Sequence, residues 1–175
     1  PRAARPQRPA VPALPPLDAL DQTHRQMMVV LEDLKVLAGH LEEQGIDVTA
    51  REKARKICEF FAGTARTHHA DEETLVFPAL VRTDDPTLIQ HVLRLQQDHG
   101  WLEEDWLELA PQLQAVAEGY SWYELDSLRA GIEVFTALYH DHIALEESLI
   151  YLEAKRQLDV EAAKRDPKSA AGGSR

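Results

Sequence analysis

At 175 residues, 44% hydrophobic and 28% charged, the chain has the balance of one globular domain with a single core. Its formal net charge of −11, with no basic patch along the patterned stretch, argues against nucleic acid or an anionic membrane as its main partner. The single cysteine, Cys58, excludes an intramolecular disulfide, no apolar run approaches the ~20 residues of a membrane span, and the cytoplasm is the expected location.

Residues 1–16 hold six prolines and three arginines and are expected to form a disordered Pro/Arg-rich leader. Helical periodicity then occupies 17–158, and residues 159–175 are expected to be a disordered, small-residue tail. The first patterned segment, from about Leu17 to Glu42, carries the stripe Leu17, Leu20, His24, Met27, Leu31, Leu34, Ala38 and Leu41. That alternation of threes and fours is a heptad seam, and Gly45 follows it as a stop.

The second segment opens on a capping box, Thr49 with Glu52. Its stripe is Ile57, Phe61, Thr64, His68, Glu72, Leu75 and Ala79, with Pro78 ending or kinking it. The third opens with Asp85 as N-cap and Pro86 at the first helical position. It continues through Leu88, Val92, Leu95, His99, Glu103 (or Leu102), Trp106, Ala110 and Leu113, with a kink expected at Pro111. The fourth opens on a second box, Ser121 with Glu124, and runs Leu128, Ile132, Phe135, Tyr139, His142, Glu146, Leu149 and Leu152. Four long helices joined by short loops predict an all-α, up-down-up-down four-helix bundle.

Each segment places one histidine in its stripe: His24, His68, His99 and His142. On three of them a glutamate follows four residues later (Glu72, Glu103 and Glu146), and residues four apart share a helix face. An unpaired carboxylate in a core costs several kcal/mol. Carboxylates and imidazoles converging in one seam therefore point to cations that supply the missing charge. Nitrogen and oxygen donors without thiolate suit iron, manganese or zinc, and the set is too large for one tetrahedral zinc. Two iron ions bridged by carboxylates use it fully, with Glu72 and Glu146 as the bridges; manganese or a mixed pair stays open. His40, His91, His69 and His140 lie off the stripes. A register pairing His69 with Glu73 has the same spacing, but Phe61, Thr64 and Leu75 favour His68 with Glu72. Glu73 and Glu147 are then outer residues, solvated or hydrogen-bonded to ligands.

The segment HHADEETLVFP at 68–78, its echo HIALEE at 142–147, the lone His24 and the Asp98-His99 pair resemble the hemerythrin-like, HHE cation-binding family over roughly residues 17–155. That resemblance implies a four-helix bundle holding two non-haem iron ions under an oxo or hydroxo bridge. It carries the ligand roles onto His24, His68, Glu72, His99 and His142, with Glu146 as second bridge. The oxygen-carrying members place two histidines four apart on the third helix. Here Glu103 stands at that spacing, where it either ligates and favours the ferric state or faces solvent beside Leu102. Three functions follow as expectations. The first is binding or sensing of a small ligand (oxygen or nitric oxide) or of iron or redox state. The second is a di-iron oxidase or peroxide-consuming enzyme, with Glu103 and Tyr139 near the open position. The third is an acidic interaction module with a structural metal. Ferritin-like chemistry is disfavoured, because those bundles use E-x-x-H clasps and no Glu stands three before any His.

Overall fold

A computed structural model of the chain describes residues 17–166; the expected leader and the last nine residues of the expected tail lie outside them. The described residues form four helical rods. Helix α1 is Leu17–Gln44 and α2 spans residues 48–80. Helix α3 is Pro86–Glu118 and α4 spans residues 125–165. Their order and packing give the expected four-helix bundle.

The helix ends show what starts and stops each rod. Asp47, rather than Thr49, caps α2: its carboxylate accepts from the Ala50 amide at 2.8 Å, and His40 lies 2.8 Å from the same carboxylate. Asp85 caps α3 through the amides of Thr87 and Leu88, with Pro86 at the first turn as expected. That helix ends on Gly119, at φ 83°, a left-handed position that disfavours a side chain. The box expected at Ser121 does not form, and α4 starts one residue after Glu124 without a side-chain cap. Pro111 sits on the exposed face of an uninterrupted α3, where the lost backbone bond faces water.

Three wide, π-type turns interrupt the regular winding, at Phe60–Thr64, Glu72–Val76 and Glu146–Ile150. Each holds an extra residue per turn and moves the stripe along by one. Ala65 is therefore buried in place of Thr64, and Val76, Phe77 and Leu80 in place of Leu75 and Ala79. On α4, Ile150, Tyr151 and Ala154 turn inward while Leu149 and Leu152 face out. Helix α4 also runs on to Arg165, past the boundary expected after residue 158. Ala162, Ala163, Lys164 and Arg165 are strong helix formers, and the last two place positive charge at a C-terminal turn.

The core comes in two parts. One apolar cluster joins Met27, Leu34, Phe61, Trp106, Leu113 and Phe135 with their neighbours. The other joins Leu17, Leu20, Phe77, Leu80, Leu95, Ile150 and Tyr151. Between them, every helix passes through a layer of buried histidines and carboxylates: His24, His68, Glu72, Asp98, His99, His142 and Glu146.

Candidate metal centre

Within this layer the donor atoms gather into two groups, with the atoms of each lying within 4.8 Å of one another. The first comprises His24, His68, Glu72 and Glu146; the second comprises His69, Glu72, His99 and His142. Both glutamates are fully buried, and each divides its oxygens between the groups. Glu72 turns Oε1 to His68 Nε2 at 2.8 Å and His24 Nε2 at 3.6 Å, and Oε2 to His99 Nε2 at 3.1 Å. Glu146 turns Oε2 to His24 Nε2 at 3.0 Å, and Oε1 to His142 and to His99 Nε2 at 3.8 Å. Each of the two carboxylates thus reaches residues of both groups.

Outer carboxylates aim three of the rings. His24 Nδ1 lies 3.1 Å from Glu147, His99 Nδ1 3.0 Å from Glu73 and His142 Nδ1 3.3 Å from Asp98. An ionised carboxylate only accepts, so each Nδ1 is the donor and each Nε2 faces inward. Histidine ligands are oriented in this way in metal sites. The Nε2 atoms of His99 and His142 lie 3.2 Å apart, at hydrogen-bonding distance, and both residues belong to the second group.

Several inner atoms lack a well-aligned hydrogen bond among the described residues: His69 Nε2, Glu72 Oε2 and both Glu146 oxygens. Buried polar atoms are rarely left so, and here they all belong to residues of the two donor groups. The donor set thus fits a pair of hard or borderline divalent or trivalent cations.

The electrostatics agree. Burial pulls His24 and His99 down, but hydrogen bonds to Glu146 and Glu72 outweigh it and raise each from 6.5 to about 10. Burial opposes charge on Glu72 too, and hydrogen bonding with Glu146, His24, His68 and His99 holds it well below the usual carboxylate range. Protons on the imidazoles therefore balance the carboxylates when no cation does. Burial, together with the charge of His99, drives His69 well below 6.5, which leaves it a neutral imidazole ready to ligate.

Of the residues expected from sequence, His24, His68, Glu72, His99, His142 and Glu146 are brought together. Glu103 belongs to neither group. It pairs with Arg66 across the α2–α3 surface, with Arg66 Nε 3.1 Å from its Oε2. His69 was placed off the stripe, yet it stands in the second group. A pair of metal positions is wide enough for neighbours 100° apart to reach one each, and the His68-His69 doublet was the available signal.

Tyr151 was also missed. Its hydroxyl donates to Glu72 Oε1 at 2.5 Å and lies 3.2 Å from His24 Nε2 and 3.5 Å from His68 Nε2, with its ring stacked on His24. The sequence hides it, because only the π-type turn at Glu146–Ile150 brings position 151 inward.

The fold and site define a cation-binding helical bundle, and comparison with known proteins identifies its family. The description Hemerythrin HHE cation binding domain matches residues 15–154, and the chain belongs to that family. An uncharacterized protein of Haemophilus influenzae is 32% identical over 126 residues, 72% of this chain and 71% of that one. No solved structure matches the chain. Among the described residues, no helix is long and apolar enough to cross a membrane.

Proposed function

We propose that the chain holds two non-haem iron ions and binds a small ligand, oxygen or nitric oxide, at an open position on one of them. The observation that supports this most is the way Glu72 and Glu146 each offer one oxygen to each donor group. Iron in such a site supplies reversible one-electron chemistry and a coordination position for a diatomic ligand. The chain's own residues do the rest. His24 and His68 serve the first position, and His69, His99 and His142 the second. Glu73, Asp98 and Glu147 fix the rings, and the two apolar clusters keep bulk water out.

Glu103, paired with Arg66, does not supply the ferric-favouring charge that its spacing suggested. Tyr151 instead holds Glu72: its hydroxyl donates to Oε1, and burial with the neighbouring carboxylates keeps the proton on its oxygen. Replacing Tyr151 with Phe removes that bond and is expected to cost about 2 kcal/mol of stability in a calorimetric melt, while the iron content stays near the parent value. An unchanged midpoint would show that the bond contributes nothing to the site's order. The two buried carboxylates, which favour the higher oxidation state of a bound ion, also lend support to peroxide consumption as a second reading.

Titrating the reduced protein with nitric oxide tests the main reading. Stoichiometric formation of an iron–nitrosyl spectrum is expected, reversed on removal of the gas. Absence of any spectral change, together with rapid turnover of added peroxide, would favour the second reading.

A further inference from the structure

His68 differs from the other three seam histidines in what stands behind its ring. His24, His99 and His142 each turn Nδ1 to a carboxylate, of Glu147, Glu73 and Asp98 respectively. The His68 ring is buried, and its Nε2 faces Glu72 Oε1 at 2.8 Å. Its Nδ1, turned away from the layer, is buried with no hydrogen-bond partner among the described residues. A buried nitrogen left in that state calls for an occupant from outside the chain.

Behind the ring lies a groove of about 340 Å³ between α1 and α2, lined by Leu20, Thr23, Thr64, Thr67, His68 and Asp71 among others. That space takes on the order of ten waters, enough for a hydrated cation. Thr64, Thr67, His68 and Asp71 stand three and four residues apart and so share one face of α2. Thr64 reaches the groove because the wide turn at Phe60–Thr64 puts Ala65 into the core in its place. Thr64 and Thr67 are exposed, so the groove opens to water. Three hydroxyls and one carboxylate are oxygen donors of the kind that replace the waters of a divalent cation. Asp71 belongs to neither donor group, and its carboxylate caps no helix end.

Other approaches to the layer are closed. The two apolar clusters cover its ends. On the α1–α4 side stand Asp21, His24 and Glu147, but Lys155 holds Asp21 at 3.0 Å and Glu147 holds His24 at 3.1 Å. Resting on the di-iron reading above, we propose that the α1–α2 groove is the port through which divalent cations are loaded into the centre. Asp71 and the threonines receive the hydrated cation, and His68 Nδ1 takes it from them. The His68 ring is the one of the four that can turn without breaking an outer hydrogen bond, and it passes the cation inward to Glu72.

The test is anaerobic loading of the metal-free chain with ferrous ion. Unbound iron is trapped by a chromogenic chelator at set times, and iron content is measured at the end. Asp71→Asn is expected to slow loading several-fold and Asp71→Lys about tenfold, as attraction is first lost and then reversed. Both are expected to reach the parent's final iron content, and the effect should shrink at high salt. Thr67→Trp, which fills the groove without changing charge, should also slow loading, whereas Asp21→Asn should not. Parent-like rates in both Asp71→Lys and Thr67→Trp would overturn the port. So would slow loading in Asp21→Asn with Asp71→Asn at the parent rate, because cations would then enter on the α1–α4 side. A parent chain that takes up no iron overturns the di-iron reading itself, whereas a parent that fills, with variants that fill as fast, overturns only the port.

Discussion

Glu72→Ala is expected to lower the iron content from about two per chain to near zero. The reason is that Glu72 belongs to both donor groups. Its Oε1 serves the side of His24 and His68, and its Oε2 the side of His99. Removing it deletes a ligand from each position and leaves Glu146 as the one carboxylate between the facing imidazoles of the two groups. Because metal affinity depends on a complete set of deprotonated donors, the loss is cooperative rather than a halving. Glu103→Ala provides the contrast. That carboxylate is engaged with Arg66 outside the groups, and its removal is expected to leave iron content unchanged. Metal analysis of both purified variants by mass spectrometry decides the point. A Glu72→Ala protein that still carries a full pair would remove the bridging role.

The second large effect is on stability. Two fully buried carboxylates and five imidazoles share the layer, and cations bound only by the folded chain stabilise it by mass action, about 4 kcal/mol at ~1,000 times Kd. For a chain of this size each kcal/mol moves the midpoint by roughly 2–4 °C. Stripping the metal is therefore expected to lower Tm by on the order of 10 °C.

The stripped protein should also acquire a characteristic pH dependence. His24 and His99 are raised from 6.5 to about 10 in the fold. Their contribution is thus fully present below about 6.5 and lost as pH rises through about 10. Glu72 and Glu146 are lowered from 4.5, so theirs is present above about 4.5 and lost as pH falls through their folded values. The stripped form should be most stable between about 4.5 and 6.5 and weaken steadily on the alkaline side. In the metal-bound form cations stand where those protons were, so its Tm should hold across the alkaline range. Calorimetric melts of both forms at matched pH would show it. Equal Tm values with and without metal would contradict a structural contribution from the site.

Much of the bundle was legible because heptad stripes report the buried face of a helix directly. The seams of α1 and α3 emerge almost unchanged, from Leu17 to Leu41 and from Leu88 to Leu113. What the sequence concealed was the local widening of α2 and α4. A π-type turn has no strong composition signal, and each one shifts every later residue by about a quarter of a turn. That shift accounts for the misplacement of Thr64, Leu75, Leu149 and Leu152, and for the entry of Tyr151 into the site.

The His-Glu pairs four apart were visible because i,i+4 spacing survives in the regular stretches Ala65–Asp71 and Leu125–Leu145 that precede the wide turns. His69, weighed with Glu73 as an alternative register, was set off the stripe for a different reason. A stripe one residue wide describes a site for a single ion, whereas two adjacent positions span neighbouring residues of one helix. Glu103 met the spacing rule yet found a better partner in Arg66, because spacing fixes a helix face and not the rotamer or the competing cation.

The central claim is a pair of metal ions held between Glu72 and Glu146, and metal analysis of the reconstituted protein combined with its absorption spectrum tests it most directly. The account predicts two irons per chain and an oxo-to-iron band in the near ultraviolet. Less than half an iron per chain after anaerobic reconstitution, with no such band, would contradict it.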